Sequence, residues 1–129
     1  TSTHYPANYG LIPRTYADDG DPLDVLVLSS ETISPLSLVR CYPIGVITMR
    51  DQGKLDEKII AIPFNDPMYN EYRDIAELPS HIFSEMRHFF SVYKNLEGKE
   101  TVVDEEQGPE AAKEIIRKCL DAYIEKFCR

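Results

Sequence analysis

The stretch Asp19-Gly20-Asp21-Pro22-Leu23-Asp24 sets three carboxylates within six residues and runs straight into the apolar strand Val25-Leu26-Val27-Leu28. A buried strand must therefore start where like charges repel one another, which places the acidic turn at the lip of a folded core. Hard oxygen ligands at this density are how proteins hold Mg²⁺, Mn²⁺ or Ca²⁺. An EF-hand loop is excluded: counted from Asp19, the fifth position is Leu23, the glycine falls second instead of sixth, and the twelfth position is Ser30. What remains is a rigid turn, with Gly20 able to take positive φ and Pro22 fixing its own, that aims Asp19, Asp21 and Asp24 into one space. The ordinary alternative at this stage is a solvated acidic turn.

The 129 residues make one domain, 1–129, with enough chain to bury a core. A net charge of −8 argues against nucleic acid or an anionic membrane surface as partner, since both need a basic face. It does not exclude an anionic substrate, because carboxylates that have taken up divalent ions become locally positive. The three cysteines, Cys41, Cys119 and Cys128, are odd in number and lack C-x-x-C spacing, so reduced thiols and a cytoplasmic setting are expected. No apolar run approaches the ~18 residues of a membrane span. Thr1 to Pro6 has neither the basic nor the apolar region of a signal peptide, so the chain is expected to be soluble.

Asp24 to Leu28, Leu38 to Arg50 and Lys58 to Phe64 are rich in Val, Ile and aromatic residues and are punctuated by Pro35, Pro43, Gly45, Gly53 and Pro63. They predict short strands with bent connections, a barrel, in which Asp51 to Asp56 forms a polar hairpin loop. The second half turns helical at Ser80, predicted as an N-cap, with an apolar face of Ile82, Met86, Phe89, Tyr93 and Leu96. A second helix is predicted from Pro109 through Phe127. Between them Glu97 to Gly108 is a charged connection with room for a short strand at Thr101-Val102-Val103.

Five aspartates then stand at predicted strand ends: Asp19, Asp21, Asp24, Asp51 and Asp56. Lys58 follows Asp56 by two residues and shares its face if the strand begins there, while Tyr93-Lys94 closes the first helix. Carboxylates, lysines and phenols at one site are what phosphoryl-anhydride hydrolysis needs: cations to neutralise phosphate oxygens and acidify water, lysines to offset remaining charge, hydroxyls to position oxygens.

With these residues in place, the chain resembles the family I soluble inorganic pyrophosphatases. The resemblance is carried by Tyr5-Pro6-Ala7-Asn8-Tyr9-Gly10, by the D-G-D-P-x-D-V signature at Asp19 to Val25, and by Arg40-Cys41-Tyr42-Pro43-Ile44-Gly45-Val46. It continues through Asp51, Asp56 and Lys58 to Phe89-Phe90-x-x-Tyr93-Lys94-x-Leu96-Glu97, in family order over almost the whole chain. It implies an α+β, mainly β fold: an OB-like five-stranded β-barrel flanked by two α-helices. It also implies hydrolysis of pyrophosphate to two orthophosphates with Mg²⁺, for which Mn²⁺ is a substitute.

By the same resemblance Asp19, Asp24, Asp51 and Asp56 are metal ligands, and Asp21 accepts a proton from the attacking water. Tyr9, Lys58, Tyr93 and Lys94 match phosphate-binding positions. Each has an ordinary reading too: Tyr93 and Lys94 as the edge of a core helix, Lys58 as a strand residue, Tyr9 as a packing aromatic, Asp51 and Asp56 as turn residues. A non-catalytic OB-type module holding a metal or small anion is the alternative from another class. The family's chain extends a few dozen residues further before the position of Thr1, supplying an opening hairpin and further site residues. A chain lacking that segment is expected to be a weakened enzyme with unpaired strand edges, and hence a homo-oligomer; the resemblance implies a hexamer before a dimer, with His88 at a subunit contact.

Overall fold

In a computed structural model the described residues are 7–51, 54–96 and 101–129, with the side chains of 51, 89, 91–96 and 101–104 outside the description. Five strands, β1 (Ala7–Leu11), β2 (Asp24–Leu28), β3 (Cys41–Asp51), β4 (Lys54–Pro63) and β5 (Thr101–Gln107), form one sheet in the order β1-β2-β4-β3-β5. β2 runs parallel to β4 and every other pairing is antiparallel. Five strands and the two expected helices are present, in a mixed open sheet whose edges among the described residues are β1 and β5.

β2 reads as a continuous apolar run because both faces of the sheet are covered there. On one face Leu26, Leu28, Ile47, Met49, Ile60 and Ile62 pack beneath Ile82, Met86 and Phe90 of helix α1 (Ser80–Leu96). On the other, Val25, Val27, Val46, Ile59 and Ala61 pack on Ala112 and Cys119 of helix α2 (Pro109–Phe127). Gly45 sits at a register shift in β3, where an added Cβ would lie 2.6 Å from the Gln107 carbonyl and 2.7 Å from Ile75 Cβ. Its missing side chain lets β5 and the short 3₁₀ turn Ile75–Glu77 close on β3.

Several boundaries differ from the sequence expectation. β3 begins at Cys41, not Leu38; Leu38 is 91% exposed and cannot be part of a half-buried ladder. β4 begins at Lys54, so Asp56 lies inside a strand opposite Met49 and not in a hairpin loop. Ser80 is not the N-cap, since the Pro79 carbonyl already accepts hydrogen bonds from the Ile82 and Phe83 amides. β1 was not foreseen as a strand, and β5 continues through Gln107, beyond the expected Thr101-Val102-Val103.

Candidate active site

The sheet register assembles the polar site. Asp24 opens β2 and is paired with Lys58 of β4, while Tyr9 of β1 is paired with Leu26, two residues beyond Asp24. Asp56 precedes Lys58 by two residues on β4. The strand period of two therefore puts Tyr9, Asp24, Asp56 and Lys58 on the face that carries Leu26 and Ile60, at its polar end. One apolar face ends in a lysine, two carboxylates and a phenol.

Lys58 is the centre of this group. Its Nζ donates to Tyr9 Oη at 2.6 Å and to Asp24 Oδ2 at 2.7 Å, and it ion-pairs with Asp56 Oδ2 at 3.0 Å. Burial alone would push the Lys58 ammonium toward deprotonation; the hydrogen bonds to Asp24 and Tyr9 and the charge of Asp56 reverse this and hold it above the ordinary lysine range. The Tyr9 hydroxyl is pushed up to about 12, chiefly by desolvation, with Lys58 pulling the other way. Lys58 Nζ also lies 5.2 Å from the centroid of the Tyr9 ring.

The acidic turn is built by its own hydrogen bonds. The Ala17 amide donates to the Asp21 carbonyl at 2.9 Å, the Gly20 amide to the Ala17 carbonyl at 3.0 Å, and the Asp21 amide to Asp19 Oδ1 at 3.0 Å. Gly20 takes φ +85°, the left-handed conformation its position in the motif predicts. Buried Thr15 ties the two ends of the loop together: its hydroxyl donates to the Ile12 carbonyl at 2.6 Å and accepts from the Leu23 amide at 2.8 Å. Sequence reasoning missed this residue, because a single threonine in a polar loop carries no signal until its partners are known.

Desolvation, with the charges of Asp21, Asp56 and Asp24, pushes the Asp19 carboxyl above its ordinary range, against the pull of the Asp21 amide. Four carboxylates thus feel one another, an excess of negative charge that a cation would relieve. Among the described residues no three carboxylates, imidazoles or thiols converge as a ready-made ligand set; Asp24 and Asp56 meet through Lys58 instead. The all-oxygen donor chemistry fits a hard divalent cation at Asp19, Asp24 and Asp56. Asp51 ends β3 and pairs in register with Lys54 and Thr101, while its side chain lies outside the described residues. The same holds for Tyr93 and Lys94, in the last turns of α1.

A mixed sheet covered by a helix on each face, with a carboxylate, lysine and phenol cluster at its strand ends, defines the class: a small OB-like α+β domain with a polar site at one end of the sheet. The inorganic pyrophosphatase family model matches residues 1–124. The chain belongs to the inorganic pyrophosphatase family. It is 46% identical over 127 residues to soluble inorganic pyrophosphatase 2 of Chlamydomonas reinhardtii, a match that covers 98% of this chain and 66% of that protein. It is also 46% identical over 126 residues to the inorganic pyrophosphatase of Aquifex pyrophilus, covering 95% of this chain and 71% of the relative. The crystal structure of inorganic pyrophosphatase from Thermus thermophilus superposes with a TM-score of 0.86 at 36% identity, over 95% of this chain and 72% of that one. The chain therefore spans about two thirds of the length of these curated relatives.

Proposed function

We propose that this protein hydrolyses inorganic pyrophosphate to two orthophosphates with the help of divalent cations, Mg²⁺ first and Mn²⁺ as a substitute. The observation that carries the reading is the buried Lys58 ammonium held between Asp24 and Asp56 beside the Tyr9 hydroxyl, with Asp19 and Asp21 on the adjoining turn. Bound cations would supply the charge that neutralises phosphate oxygens and acidifies a water.

The residues of the chain do the rest. Asp19, Asp24 and Asp56, with Asp51 at the end of β3, hold the cations. Asp21 is exposed at the tip of the turn, where water reaches it, and takes the proton as the water oxygen adds to one phosphorus and the bridging P–O bond breaks. Lys58 and Tyr9, with Lys94 and Tyr93 on α1, orient the phosphate oxygens and offset their charge.

A phosphate-release assay with pyrophosphate, with and without Mg²⁺, tests the proposal. A non-catalytic OB-type module would bind the cation and pyrophosphate and release no phosphate, so inertness despite cation binding would sink the enzyme reading. The relatives' names support the activity; a cytoplasmic setting, expected from the sequence, belongs to the same proposal. His88 is exposed on α1 and available for a subunit contact in a homo-oligomer, hexamer before dimer. A monodisperse monomer in light scattering at micromolar concentration would remove that part.

A further inference from the structure

An ammonium group has three protons to donate and no acceptor. Lys58 has three oxygens to take them: Tyr9 Oη at 2.6 Å, Asp24 Oδ2 at 2.7 Å and Asp56 Oδ2 at 3.0 Å. Its side chain is 4% exposed. A phosphate oxygen cannot join this arrangement unless one of the three partners leaves. In this arrangement Lys58 neutralises the carboxylates and is not available to an anion.

We propose that Lys58 is the resident counter-ion of Asp24 and Asp56, and that a divalent cation taken up by these carboxylates releases the ammonium to bind phosphate. The inference rests on the cation-dependent reading above and adds a coupling between the two ligands. With one lysine, the group formed by Asp24, Asp56 and Lys58 is net negative and repels a phosphate. Adding a divalent cation makes the same group net positive and attractive to one. The ammonium has a way out: Tyr9 is 44% exposed, and Lys58 Nζ already lies 5.2 Å from its ring centroid. Lys58 thus links cation uptake to anion affinity through the exchange of a single side chain.

The test is amine acylation of the intact protein followed by peptide mass spectrometry, with Mg²⁺ binding measured in parallel by calorimetry and no pyrophosphate present. Exposed Lys113 and Lys118 serve as internal references. Acylation of Lys58, slow without metal, is expected to rise several-fold over these references once Mg²⁺ saturates. Competition for the same carboxylates is reciprocal, so Lys58→Met is expected to tighten the Mg²⁺ Kd by roughly five- to a hundredfold. Mg²⁺ binding that leaves Lys58 acylation unmoved, or that is unchanged or weaker in Lys58→Met, overturns this proposal and leaves the cation reading intact. Absence of any Mg²⁺ binding overturns both. The labelling experiment uses the unaltered protein and stands if the variant fails to fold.

Discussion

Asp24 and Lys58 face each other across the parallel ladder between β2 and β4, with Nζ 2.7 Å from the carboxylate oxygen. Asp56 completes the arrangement from the same strand as Lys58 at 3.0 Å. Removing one member of a buried ionic group leaves its partners as uncompensated charge, which costs more than the intact group contributes. Lys58→Met is therefore expected to lower the unfolding free energy of the metal-free protein by about 3 kcal/mol in a denaturant titration. A loss within experimental error would show that solvent already screens the carboxylates.

The same group sets an alkaline limit on stability. Tyr9 has an ordinary value of 10.0 and is raised to about 12 in the folded protein; Lys58 is raised as well. Both groups hold their protons more tightly when folded. Their contribution is whole below the unfolded values, near pH 10, and drains as pH rises from there through the folded values. Denaturant midpoints measured between pH 9 and 12 should fall in this window, and Tyr9→Phe should flatten the tyrosine part of the fall. Spectrophotometric titration should find one phenol fewer titrating near 12 in the variant.

Thr15 joins the two ends of the acidic loop through one hydroxyl. Thr15→Val keeps the shape and strands both the Ile12 carbonyl and the Leu23 amide, a loss of about 2 kcal/mol. Because that loop carries Asp19 and Asp21, Mg²⁺ affinity should fall with stability, and Thr15→Ser should restore both. Stability lost with affinity untouched would show that the turn holds its shape without Thr15.

The acidic turn was legible in the sequence because glycine and proline state their backbone demands locally: Gly20 takes the positive φ that D-G-D-P requires. The apolar run of β4 and the helical period of α2 were legible from each segment alone. β5 was foreseen only in its Thr101-Val102-Val103 part, because the acidic run after it has poor strand propensity; Glu105 and Glu106 are drawn into the sheet by pairing with Thr48 and Ile47 of β3. The Lys58 hub was half visible. Spacing put Lys58 on the face of Asp56, but its bonds to Asp24 and Tyr9 depend on which strands become neighbours, and a parallel pairing between β2 and β4 cannot be read from either segment alone.

Gly45 is a position where the fold has no room to adapt. A Cβ there would stand 2.6 Å from the Gln107 carbonyl, a backbone atom, and 2.7 Å from Ile75 Cβ. Gly45→Ala should destabilise by about 2 to 3 kcal/mol through overpacking, visible as a lowered melting temperature. Gly20→Ala meets nothing within 4 Å, but its φ of +85° strains any residue with a side chain. That variant should lose about 1 to 2 kcal/mol, and Gly20→Asn less. Equal losses for Gly20→Ala and Gly20→Asn would remove backbone strain as the cause.

In the proposed mechanism Asp21 and Asp24, three residues apart in the sequence, divide proton transfer from cation holding. Asp24 is paired with Lys58 inside the site, whereas Asp21 is exposed at the turn with its amide engaged by Asp19 Oδ1 at 3.0 Å. A cation that binds only the folded form at 100-fold over its Kd stabilises it by about 2.7 kcal/mol. Asp24→Ala should abolish most of the corresponding upward melting shift in Mg²⁺. Asp21→Asn keeps size and shape while removing the proton-accepting charge, so turnover with pyrophosphate should drop by roughly 10²-fold or more with the melting shift largely retained. If Asp21→Asn loses the shift in proportion to turnover, Asp21 is a cation ligand and the base must be sought elsewhere on the turn.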